Sequence, residues 1–90
     1  MYLITYDLNK PGQEYKQLFA AIEGLGPSCH IVTSTWLVDS SLKPKEIASA
    51  LRPYIDLTDV IFVVQVLPKY YGQLSADWSA WLQEHLPDRN

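Results

Sequence analysis

Disulfides, membrane spans and strong charge are all missing from this sequence. It has one cysteine, Cys29, so no internal disulfide can form, and a lone thiol fits a reducing compartment. The longest apolar run, Val60 to Val64, falls far short of the roughly 20 residues a helix needs to cross a bilayer. The opening Met-Tyr-Leu-Ile-Thr-Tyr-Asp carries neither the basic flank nor the cleavage region of a secretory leader. Together these absences predict a cytoplasmic protein with no membrane association. Basic charge is scarce too, with seven Lys and Arg against ten Asp and Glu and a net charge of −3. Lys10, Lys16, Lys43, Lys45, Arg52, Lys69 and Arg89 are scattered along the chain. Proteins that grip nucleic acid by neutralising phosphates usually gather such residues on one face. Avid, non-specific nucleic-acid binding is therefore not expected, although a local patch formed across a dimer stays open. There is no internal repeat, low-complexity segment or phosphate-cradling glycine-rich loop.

What is present argues for a packed core. Apolar residues make up 48% of the chain, including three Trp, six Tyr and two Phe, which excludes disorder. Ninety residues make one lean domain, burying only about 60–65% of the surface its unfolded chain exposes, so a partner is a common way to complete the core.

The chain alternates extended and helical patterns. Tyr2 to Leu8 is β-favouring and ends in the breaker Asn9-Lys10-Pro11-Gly12. From Gln13 to Leu25, Tyr15, Leu18, Phe19 and Ile22 recur at helical spacing, and Gly24 with Gly26-Pro27 closes the helix. His30 to Ser40 predicts a short edge piece near His30–Thr33 and a longer strand near Thr35–Asp39, joined by a corner or bulge. Pro44 suits a first helical position, and Ile47, Ala50, Leu51 and Tyr54 form the stripe that follows, with Pro53 ending or kinking the last turn. Asp56-Leu57-Thr58-Asp59 is a turn. Val60 to Leu67 is the clearest strand, apolar on both faces apart from Gln65. A half-solvated antiparallel strand alternates apolar with polar, so both of its faces are expected to be covered. Pro68 to Leu74 reads as a loop or short added strand. Ser75 then caps a helix whose stripe is Trp78, Trp81, Leu82 and His85.

This order predicts an α+β fold: a ferredoxin-like βαββαβ antiparallel sheet with two helices on one face, spanning 1–67. Residues 68–90 add a loop and an amphipathic C-terminal helix, either within the same domain or at a dimer interface. A homodimer, with Tyr70, Tyr71, Trp78 and Trp81 as interface anchors, would cover the second sheet face.

The stretches Tyr6-Asp7-Leu8-Asn9-Lys10-Pro11-Gly12-Gln13-Glu14-Tyr15 and Ser34-Thr35-Trp36-Leu37-Val38, in this element order, resemble the small ferredoxin-like CRISPR-associated adaptation proteins. The layout is closest to their SinR-like and VapD-like branch. The resemblance covers about residues 1–67. It implies two protomers packed sheet against sheet, with the Asp that ends the first strand of each near the dimer axis. That residue is Asp7 here, and the resemblance implies that it holds Mg²⁺ or Mn²⁺ for phosphodiester cleavage, of RNA before DNA. Paired carboxylates are a hard oxygen site suited to such a cation. Some relatives are non-catalytic scaffolds, so the alternative is an interaction module in a defence or toxin–antitoxin setting with a protein partner. Two features depart from the pattern: the acidic balance, and an aromatic helix where those relatives carry a swapped terminal strand.

Read on its own, Asp7 is also an ordinary strand-end carboxylate facing water or bonding the Lys10–Gly12 loop. Cys29 and His30 sit on opposite faces of a strand and cannot act as nucleophile and base to one another. Cys29, His30 and His85 lack a zinc-ligand spacing.

Overall fold

The computed structural model describes residues 1–9 and 15–89. The Lys10–Gly12 breaker and the start of the expected first helix at 13–14 lie outside them. The elements run β1 (Tyr2–Asp7), α1 (Lys16–Glu23), β2 (Ser28–Val32), β3 (Thr35–Val38), α2 (Pro44–Leu51), β4 (Val60–Gln65) and α3 (Ala76–His85). The four strands form one sheet in the order β2-β3-β1-β4, every neighbouring pair antiparallel. This is a small α+β domain with a four-stranded antiparallel sheet and three helices among the described residues.

Each helix starts and stops for a local reason. Pro44 occupies the first turn of α2, where its missing N–H costs nothing, and Glu46 accepts the Lys43 backbone N–H at 2.9 Å. Leu51 ends α2, and Arg52–Tyr54, with Pro53 inside it, tightens into a 3-10 turn. Ser75 caps α3 by accepting from the Trp78 N–H. At the end of α1, Gly24 is the C-cap and is right-handed. The positive φ falls at Gly26, at 150°. There the chain turns under β3, and a Cβ at Gly26 would lie 2.2 Å from the Asp39 carbonyl oxygen.

The paired strands also differ in detail from the sequence reading. β2 begins at Ser28 and is longer than β3. The expected corner is the turn at Thr33–Ser34, and a register shift between His30 and Val32 opposite β3 adds an irregularity within β2. Pro68–Leu74 forms no strand.

The two sheet faces are covered unequally. On one, Ile4, Tyr6, Trp36 and Val38 are buried against Leu18 and Ile22 of α1 and Ile47 and Leu51 of α2. Of the expected α2 stripe, Ala50 and Tyr54 face solvent. Trp36 donates its indole N–H to the Tyr6 hydroxyl at 3.1 Å, satisfying a buried polar pair in the middle of this core. On the other face, Cys29 and Leu37 are buried beneath Leu82 of α3, with Trp78, Trp81 and Tyr70 packed around them. This second cover reaches β2, β3 and one end of β1, and stops short of most of β4. A Gly26→Ala substitution is expected to cost about 1–3 kcal/mol, from a strained backbone conformation and the clash with Asp39. A lowered denaturation midpoint at unchanged slope is the measurement that checks it.

Candidate functional site

The unevenness of that second cover creates the most conspicuous surface on the molecule. β4 lies at the edge of the sheet, paired only with β1. Its alternation sends Ile61 and Val63 toward the core of α1 and α2. It sends Val60, Phe62 and Val64 the other way, where they are 59%, 61% and 41% exposed. The sequence expectation that both faces of this strand are covered therefore fails within a single chain. The physical reason is width: one ten-residue helix cannot roof four strands spaced about 4.8 Å apart, and α3 sits on the β2 side. An apolar cleft of about 380 Å³, floored by Leu3 and Leu37 and walled by Tyr70, Leu74 and Leu82, separates α3 and the preceding connector from the sheet.

Asp7 lies at one end of this open strip. It is exposed and stands opposite Val60 in the β1–β4 ladder, so its side chain is on the same face as Val60, Phe62 and Val64. Thr5 is next in line, opposite Phe62 on one side and Thr35 on the other, with the Thr5 and Thr35 hydroxyls 3.1 Å apart. Ser34 uses its carbonyl to receive the Tyr6 N–H at 3.1 Å and the Thr5 hydroxyl at 3.3 Å. The Ser34-Thr35 pair thus stitches the β2–β3 turn to β1.

No group of three His, Cys, Asp or Glu able to hold a metal ion occurs among the described residues.

The other residues singled out from sequence separate cleanly. Cys29 and His30 point to opposite faces, Cys29 beneath α3 and His30 onto Trp36, with which it stacks at 4.1 Å. Burial pushes the Cys29 thiol up to about 11, away from nucleophilic use at neutral pH. Trp36 is in the core. Tyr70, Trp78 and Trp81 pack on the chain's own sheet, while Tyr71 is fully exposed.

Two polar clasps escaped the sequence reading. Asp59 accepts the Asn9 N–H at 2.7 Å and the Asp56 N–H at 2.8 Å, tying the end of β1 to the turn before β4. The Asp-Leu-Thr-Asp spacing signalled a turn but not this longer reach. His85, at the end of the α3 stripe, meets the Asp39 carboxylate at 3.1 Å and stacks on Trp81 at 4.3 Å. That clasp pins the end of α3 beside β3.

No family model, no curated protein and no solved structure matches this chain.

The cover over Cys29 can be tested directly. Because the thiolate is the reactive form and Cys29 is buried with its thiol raised by that burial, alkylation of Cys29 in the folded chain should be much slower at neutral pH than in the unfolded chain. Leu82→Ala should cost about 2–5 kcal/mol and raise the labelling rate at every pH, as read by mass spectrometry of the alkylated chain.

Proposed function

We propose that this chain is a ferredoxin-like interaction module that works as a homodimer in a non-catalytic role. The order β2-β3-β1-β4 makes β1 and β2 parallel with β3 between them, and β3 and β4 parallel with β1 between them. Two such split units interleaved are the ferredoxin-like arrangement. The observation that carries the module reading is the apolar strip Val60, Phe62 and Val64, open to solvent on an edge strand. Contiguous exposed apolar surface on a small domain marks an association site. The scatter of the few basic residues supports a protein partner over an extended nucleic-acid surface. Sedimentation equilibrium over a wide concentration range is expected to yield a dimer; a monomer throughout would remove this reading.

A second reading is favoured by the placement of Asp7 on the open strip. Should two copies pack through this face, their Asp7 carboxylates would approach the shared axis, the geometry that a divalent-metal nuclease related to the CRISPR-associated adaptation proteins would use. The carboxylates would be the ligands and the cation would supply electrostatic activation at phosphate. On this reading RNA is cleaved in Mg²⁺ or Mn²⁺, cleavage stops in EDTA, and Asp7→Asn lowers the rate at least 100-fold, on the order expected for loss of an essential ligand. Cleavage that survives Asp7→Asn would dismiss it.

A further inference from the structure

The two edges of this sheet are built differently. β2, at one edge, is preceded by Pro27 and broken by the register shift between His30 and Val32. Both are devices that blunt an edge against pairing. β4, at the other, reads Val-Ile-Phe-Val-Val-Gln. It has no charge, no proline, and an unbroken register against β1 from Val60 to Gln65. Among the described residues no strand lies beyond it.

The direction of its free backbone groups follows from one hydrogen bond. Val66 N–H donates to the Met1 carbonyl at 2.8 Å. Backbone polar groups alternate sides along a strand, so Val64, Phe62 and Val60 also turn theirs toward β1. Ile61, Val63 and Gln65 turn theirs outward.

From this geometry we propose that β4 pairs edge to edge, antiparallel, with β4 of a second copy of the chain, joining two sheets into one of eight strands. The proposal rests on the homodimer reading above but uses the strand's edge: the Val60, Phe62 and Val64 strip lies on the sheet face and would merge with its symmetry copy into one wider apolar patch. A two-fold axis at Val63 lets all three outward residues bond, Ile61 with Gln65 of the second copy and Val63 with its own equivalent. In that register Phe62 stands beside Val64 of the second copy, and Val64 beside its Phe62. An aromatic residue and a β-branched one are favourable cross-strand neighbours. Val60 stands beside Val66, so every neighbour on the open face is apolar. The same axis carries the Lys69 end of each strand toward the Asp59 end of the other. A strand with no charge of its own avoids like-charge repulsion when two acidic chains meet. This self-complementarity selects a second copy as the occupant over an unrelated strand.

The arrangement separates the two Asp7 residues. Six residues along the strands and three strand spacings across them place these positions about 25 Å apart, too far to share one cation. Edge pairing and the shared-metal reading therefore exclude each other.

Amide hydrogen exchange by NMR, on a sample whose oligomeric state is measured by sedimentation, provides the test. In a β4–β4 dimer the Ile61, Val63 and Gln65 amides slow by roughly tenfold or more between dilute and concentrated samples. In a dimer packed through the sheet face, or through exchanged α3 helices, those three amides stay fast. Gln65→Pro removes only an outward N–H, which an edge strand tolerates. Losing two inter-subunit hydrogen bonds per dimer is expected to weaken association roughly thirtyfold. A dimer with three fast amides, or one indifferent to a well-folded Gln65→Pro chain, overturns edge pairing and leaves the module reading standing. A wild-type chain that sediments as a monomer at every concentration removes both. Should Gln65→Pro fail to fold, exchange in the unaltered chain decides alone.

Discussion

A β-sheet has two faces, and each must be packed against something or be polar enough to meet water. That constraint governs this chain. Two eight-residue helices, α1 and α2, roof one face. There they bury aliphatic residues of the sheet and a hydrogen-bonded Trp36–Tyr6 pair. Among the described residues the second face is covered by α3 and the connector before it, and the last helix is placed by what it can grip. Leu82 seats over Cys29 and Leu37, and His85 holds Asp39 at the end of β3. Those grips draw α3 toward β2 and away from β4. The remaining uncovered strip is a product of helix supply and anchor position together.

Much of the architecture was legible in the sequence because short-range chemistry decides it. Pro44 marks the start of α2, Ser75 marks the start of α3, and the 3.6-residue spacing of Leu18 and Ile22, or Ile47 and Leu51, marks a buried stripe. The irregularity between the second and third strands was legible from the Thr33-Ser34-Thr35 interruption. Gly24 and Gly26 both offered the conformational freedom to end α1, and the positive φ falls at Gly26. Which glycine bends depends on where the incoming strand passes the Asp39 carbonyl, a tertiary fact invisible to a local reading.

The candidate site was legible as a need and not as a place. The double-sided apolar pattern of Val60–Gln65 says that both faces should be dry. Sequence alone does not say that the strand is an edge, or that the only spare helix lies on the opposite side. Strand order, set by long-range pairing, turns the same residues from an interior strand into an open surface. Asp7 illustrates the point from the other direction. Its residue type and position suggested a ligand, and its neighbours turned out to be the hydrophobic strip and Thr5. Its chemistry is thus tied to whatever meets that strip.

The pairing of β1 with β4 sets Tyr2 against Gln65 and Asp7 against Val60. The central ladder is therefore closed between segments that are nearly as remote along the polypeptide as this fold permits. Loop-closure entropy must be met in full before that contact returns any stabilisation, so a domain joined this way reaches its native state slowly for its size. While it waits, Val-Ile-Phe-Val-Val-Gln is a naked, uncharged β-former, the composition most prone to intermolecular cross-β stacking. The Asn9–Asp59 clasp sits at the Val60 end of this ladder and fastens the two distant segments in the folded domain.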